Sequence, residues 1–236
     1  PKKVNIKNIS IALEQARIEV KNREFNTKIQ ENIKKRFVEA VEDSKINNIK
    51  TEILKYNATG KVPALLDVDV VVWDSLAICE YLAEQHPEKA LWPTDKAMRA
   101  RARSITAEMH SGFQTLRNLC PMNVEADLSH VGRQLWTQHA QLRADVAQIE
   151  QIWSQRPSEN DFLCGEFSIA DAFYAPVVMR FACFNLPLSA SSQVYMQKVL
   201  SLSSVQQWIA EAKQEHLFVP FNEPYRSDRE EYLKAD

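Results

Sequence analysis

Residues 60–82 read GKVPALLDVDVVVWDSLAICEYL, and the order of features in this stretch decides how the surrounding chain folds. The apolar runs VPALL and VVVW flank DVD and read as an antiparallel hairpin. Val68 is a poor turn residue there, where glycine would adopt the backbone more easily. The Asp74-Ser75 pair then opens SLAICEYLAEQHP, a helix that stops at Pro87. Proline cannot donate to a sheet ladder, so Pro63 marks either an ordinary strand start or a special turn. A cis bond between Val62 and Pro63 would turn the amide and carbonyl of Val62 toward solvent, where an extended peptide could pair with them. Ser75 is either a plain N-cap or a carboxylate holder, because a helix start offers unpaired amides and the positive end of a dipole. With Asp74 beside it to accept from an ammonium group, the pair suits the two charges of an amino-acid head, and the stretch reads as a site for a small peptide-like ligand.

The rest of the composition bounds the classes. The 236 residues suffice for one large or two modest domains, each with a real core. A formal net charge of -2 with 25% charged residues gives no overall basic character, which argues against a nucleic-acid partner. Cys79, Cys120, Cys164 and Cys183 are far apart, without C-x-x-C or a histidine at ligand spacing, so they read as small buried hydrophobes and no metal site is expected. PKKVNIKNISIALEQ lacks the apolar run of a signal peptide. ADAFYAPVVMRFACFNLPL contains Asp171, Arg180 and two prolines and reads as a core helix, not a membrane span. The expected location is cytoplasmic, without membrane contact.

Composition shifts near Thr51. Residues 1–50 carry a net charge of +5 and the remainder -7, with basic and acidic residues interspersed, so the first segment reads as an unusual insertion or extension with a solvated charged face. Within it, KIQENIKKRFVEAVEDS sets Ile29, Ile33, Phe37, Ala40 and Val41 on one side of a helical period. TEILKYNATG reads as one helical turn ending in a loop. Beyond residue 75 the pattern is almost wholly helical. Pro93 and Thr94 lead into a helix through about residue 118, and further helices are expected at about 125–155, 169–182, 191–200 and 204–214. In SIAD, Ser168 as N-cap and Asp171 at N3 make a variant capping box, which gives Asp171 a structural role.

The series TGKVPALL, VVWDSLAICEYLAE, LWP, RARSITAEMHSGF and DFLCGEFSIADAFYAPVVMRF closely resembles the cytosolic glutathione S-transferases, especially bacterial members of serine-type or zeta-like pattern, over roughly residues 50–220. The resemblance implies an α/β thioredoxin-like N-terminal domain (residues 1–86, its first 50 residues atypical), an all-α C-terminal domain (94–236) and a homodimer. It implies that the Val62 backbone holds the cysteinyl part of glutathione with Pro63 cis, that Asp74 and Ser75 hold the γ-glutamyl head, and that Lys61 lies near the glycyl carboxylate. His110 and Phe113, on the helix that contributes to the substrate pocket in this family, are the candidates to line it. The implied activity uses glutathione as cosubstrate, conjugating its thiolate to a small hydrophobic electrophile or assisting an isomerisation. The other reading is a binding or interaction module that keeps the fold without turnover.

Catalysis in this family requires a Ser, Tyr or Cys near the first strand-to-helix loop, donating to the glutathione thiolate. Two alignments of the first segment differ here. One uses SIALEQARIEV as the first helix and second strand and puts Lys3, Val4 or Asn5 at that position. The other uses IEVKNREF as the first strand and NIKKRFVEAVEDSKI as the first helix, which places Asn26 or Thr27 there. Ser10 lies late in the loop or already in the helix, so the catalytic residue stays unassigned.

Overall fold

A two-residue turn at Val68-Asp69 joins β1 (Ala64–Asp67) to β2 (Val70–Trp73) in antiparallel register, with Ala64 opposite Trp73 and Asp67 opposite Val70. Val68 takes a left-handed φ of 51°, the conformation that made it an unexpected turn residue. The computed structural model describes residues 53–234. The expected early helix, the two alternative alignments and Lys3, Val4, Asn5, Ser10, Asn26 and Thr27 all lie outside the described residues. The chain divides into two compact units, and the described residues part between Lys89 and Ala90.

In the first unit, β2 leads directly into α1 (Ser75–Gln85), which buries Ile78, Cys79 and Leu82 on one face, while Leu65 is buried from β1. Tyr81 on α1 donates to Asp67 Oδ2 over 2.7 Å and ties the helix to the end of β1. The carboxylate at the other end of that bond holds the Tyr81 hydroxyl above the usual tyrosine range. A 3₁₀ turn at Pro87–Lys89 follows, so the helix ends just before proline as expected. One expectation changes: Asp74, not Ser75, is the N-cap, and Ser75 is the first helical residue.

The regular elements of the second unit are helices, joined by loops with two isolated β-bridges among the described residues, and two expected long helices are each broken. The run expected to reach residue 118 divides into α2 (Lys96–Ser111) and α3 (Gln114–Leu119), because Phe113 turns left-handed at φ 54°. Gly112 precedes it, and a Cβ there would sit 2.6 Å from the Glu108 carbonyl oxygen, so the C-terminus of α2 needs glycine. The run expected over 125–155 divides at His139 into α4 (Ser129–Gln138) and α5 (Ala140–Ser154), with His139 in extended backbone. α6 (Ile169–Phe184), α7 (Ala190–Leu200) and α8 (Ser203–Gln214) lie close to their expected bounds. The Ser168–Asp171 capping box is present at the start of α6.

α6 is the buried centre of this unit, packed against α2, α4 and α7. Trp153 of α5 is fully buried and meets the rings of Tyr174, Phe181 and Tyr195 at 6.2, 5.4 and 4.6 Å. Helix ends leave carbonyls without intrahelical partners, and arginines from elsewhere satisfy several of them. Arg117 donates to the His110 carbonyl at the end of α2, Arg180 to those of Arg117 and Cys120 around the end of α3, and Arg101 to that of Ile152 near the end of α5. The C-terminal segment is held by buried Arg226, which pairs with Glu223 at 2.8 Å and Glu125 at 3.4 Å, and by Arg229, which pairs with Glu125 at 2.9 Å.

Candidate functional site

The hairpin register sets the geometry of the first unit. Ala64 faces Trp73, so Pro63 and Asp74 each adjoin the last pair of the hairpin, on opposite strands. The peptide bond between Val62 and Pro63 is cis. Val62 is 62% exposed, and among the described residues neither its amide nor its carbonyl takes part in a hydrogen bond. One end of the hairpin thus combines an open backbone donor and acceptor with a helix N-terminus.

Asp74 joins the two elements under strain. Its φ of 75° and ψ of 133° lie in a region that residues with a Cβ rarely occupy, at a cost on the order of 1–3 kcal/mol. In that conformation Oδ1 accepts from the amides of Leu76 at 2.9 Å and Ala77 at 3.3 Å. Ser75 is half-buried behind it. Behind this helix start the Cys79 thiol is pushed up to about 12 by burial, then by the charges of Glu80 and Asp74, so it is not a nucleophile.

A residue not anticipated from sequence shapes the loop before Val62. Asn57 is 4% exposed; its Nδ2 donates to the Lys61 carbonyl at 2.7 Å, and its Oδ1 accepts from the amide and hydroxyl of Thr59. Thr59 Oγ1 in turn accepts from the Lys61 amide. Both backbone groups of Lys61 are therefore fixed while its side chain is exposed. The signal was available in Asn-Ala-Thr-Gly, because an Asn with a Thr two residues on and then glycine favours a side-chain-closed turn.

His110 and Phe113 belong to the other unit. His110 is half-buried and meets the Phe173 ring edge-on at 5.9 Å, and Phe113 is buried at the break between α2 and α3. The structure thus places Lys61, Val62 and Pro63 on the chain leading into β1 and Asp74 and Ser75 on the chain leaving β2, at the same end of the hairpin, and His110 and Phe113 around the end of α2. Among the described residues no group of His, Cys, Asp and Glu could hold a metal ion, and no described helix is long and apolar enough to cross a membrane.

Comparison with known proteins bears on both units. Residues 10–85 match the model of the glutathione S-transferase N-terminal domain, and residues 98–187 that of the glutathione S-transferase C-terminal domain. Glutathione S-transferase 1 of Dianthus caryophyllus is 32% identical over 142 residues, which cover 59% of this chain and 63% of that protein. A stringent starvation protein A homolog of Haemophilus ducreyi is 25% identical over 175 residues, covering 72% of this chain and 78% of that protein. Among solved structures, a sphingomonad glutathione S-transferase complexed with glutathione has the same fold, with a TM-score of 0.50 at 21% identity over 69% of this chain and 79% of that one. The fold is the α/β thioredoxin-like N-terminal domain followed by the all-α C-terminal domain.

Proposed function

We propose that this chain, which belongs to the glutathione S-transferase family, binds glutathione at the hairpin end formed by Lys61, Val62, Pro63, Asp74 and Ser75 and transfers its thiolate to a small hydrophobic electrophile, or uses it in an isomerisation. The observation that supports this reading is the pairing of Ala64 with Trp73, so that the chain leading in from Val62-Pro63 and the helix start at Asp74–Ser75 leave the hairpin at the same end. A cysteinyl residue laid along Val62 pairs its amide and carbonyl as a short added strand. The γ-glutamyl carboxylate then lies at the N-terminus of α1, where the amides and the dipole favour a negative charge. Its ammonium lies against the Asp74 carboxylate, and the glycyl carboxylate lies toward the exposed Lys61. His110 and Phe113 are assigned to the electrophile. The protein acts as a homodimer in the cytoplasm, and light scattering at micromolar concentration is expected to give about twice the 27.1 kDa chain mass. A monomer at all concentrations refutes the dimer.

Calorimetric titration with glutathione tests the site. Replacing Asp74 with Ala is expected to weaken binding by about 1.5–3 kcal/mol, the range for hydrogen bonds to charged groups. Asp95 caps α2 in the same manner, accepting from the Met98 amide at 2.8 Å, so Asp95→Ala removes a cap without touching the site and is expected to bind as the parent does. Equal affinity of Asp74→Ala and the parent removes Asp74 from the site. Ultraviolet difference titration of bound glutathione then tests turnover. A transferase holds the thiol as thiolate, with an apparent pKa below the free-thiol reference of about 8.5. A value at or above that reference refutes transfer and leaves a binding protein.

A further inference from the structure

α6 is buried almost all round, and its half-buried residues are Phe173, Pro176, Arg180 and Ala182. The first three recur at helical spacing and form one narrow stripe. The end of α2 and Arg117 of α3 are tied to that stripe through three contacts. The His110 ring packs edge-on against Phe173 at 5.9 Å, Arg117 Nη1 donates to the His110 carbonyl at 3.0 Å, and Arg180 Nη1 donates to the Arg117 carbonyl at 3.3 Å. Two guanidinium groups and two aromatic rings therefore share one neighbourhood.

The two arginines leave more donor capacity open than Arg101 or Arg156, as does Arg143, which caps the end of α4 through Nη1 alone. Arg101 commits both terminal nitrogens to the carbonyls of Leu163 and Ile152, and Arg156 commits both to backbone and serine oxygens. Arg117 and Arg180 use Nη1 alone. Arg180 Nε is buried without a hydrogen-bond partner, as Arg156 Nε is, but Arg180 also leaves Nη2 uncommitted. Among the described residues no carboxylate forms an ion pair with either group. Burial first, and then the Arg117 charge, lower the Arg180 pKa to about 10, so each cation is held near its like without an acid to offset it. Like charges kept together with donors to spare are stabilised by an anion placed between them, and a planar carboxylate matches the guanidinium fork.

We propose that Arg117 and Arg180, edged by the His110 and Phe173 rings, form a binding site for the carboxylate of a small organic acid. The carboxylate bridges the nitrogens that the carbonyls leave unused, and the apolar body of the acid lies along Phe173 and Pro176. The site stands on the helical unit alone; it shares His110 with the electrophile assignment, but neither its arginines nor its test involves glutathione.

Calorimetric titration of the full chain with benzoate, in the absence of glutathione, tests it. Benzamide, of the same shape without charge, and inorganic phosphate at matched ionic strength run beside it. Benzoate is expected to bind one to one and at least about tenfold more tightly than benzamide, since hydrogen bonds to a charged group are at stake. Arg117→Gln is expected to weaken benzoate at least about tenfold, and Arg180→Lys, which keeps the cation but loses the fork, is expected to weaken it also. If Arg180→Lys fails to fold, Arg117→Gln decides, because Arg117 holds one carbonyl where Arg180 holds two. No binding of benzoate, or equal binding to the parent and Arg117→Gln, overturns the proposal. Phosphate bound as tightly as benzoate overturns the assignment to an organic acid.

Discussion

Gly132 offers a quantitative test of how the helical unit is packed. It lies in the middle of α4, buried, where α4 passes the C-terminal end of α6. A Cβ built there would stand 1.9 Å from the Phe184 carbonyl oxygen and 2.9 Å from its carbon, both main-chain atoms that no side-chain rotation can clear. Relief requires α4 to retreat by about 1 Å, in an interior packed as densely as an organic crystal. That retreat would pull Val131 and Leu135 from their buried positions and strain the bond from the Leu128 amide to the Cys183 carbonyl, now 2.9 Å. Overpacking of a well-packed core typically costs about 1–3 kcal/mol, and a backbone obstacle belongs at the upper end. Alanine recovers about 1 kcal/mol of helix propensity over glycine. Gly132→Ala is therefore expected to lose about 2 kcal/mol, or roughly 4–8 °C in Tm for a chain of this size. Chemical denaturation of the variant beside Gln134→Ala, at an exposed position of the same helix, isolates the effect. The control is expected to stay within about 0.5 kcal/mol of the parent. A Gly132→Ala protein as stable as the parent or more so, as propensity alone would give, refutes the close approach of α4 to α6.

Other consequences are open to measurement. Asp171 is fully buried, and burial raises its carboxyl from 3.8 to about 6 although Leu163, Ser168 and Tyr195 all donate to it. A carboxyl raised in the folded state contributes stability that is complete below the unfolded value and lost as pH rises through about 6. The stability gap between the parent and Asp171→Asn is thus expected to narrow by up to roughly 3 kcal/mol between pH 4 and 7, and a gap that stays constant or widens in denaturant titrations contradicts this origin. All four cysteines are buried, with Cys79 and Cys120 pushed up to about 12 and Cys183 to about 11 by burial. Iodoacetamide at pH 8 is expected to label none of them in the native protein and all four in urea, and mass-spectrometric detection of a labelled native cysteine refutes it.

What could be read from the sequence was local chemistry. The hairpin follows from two apolar runs around a polar turn, α1 from its apolar spacing and Pro87, and the start of α6 from Ser168 and Asp171, because each signal is complete within about ten residues. The capping role shifted from Ser75 to Asp74 since both are good caps and only the backbone, with Asp74 at positive φ, selects between them. The breaks at Phe113 and His139 were missed because the apolar period of each helix pair runs on through the break, although glycine at 112 was a warning.

The arginine caps lay beyond local reading for a different reason. Arg101 meets the Leu163 carbonyl, and Arg180 meets that of Cys120, across separations of 62 and 60 residues, and nothing in the local sequence names such partners. A surface arginine and a capping arginine look the same in a one-dimensional pattern; they differ in what the fold places opposite them. That difference also separates the two sites. The hairpin end draws its chemistry from a short stretch, Asn57 to Ser75, and so announces itself in sequence. The Arg117–Arg180 pair exists only because the fold brings Arg180 to the Arg117 carbonyl across 63 residues, and its charge imbalance becomes visible when the acids that could have balanced it are found elsewhere.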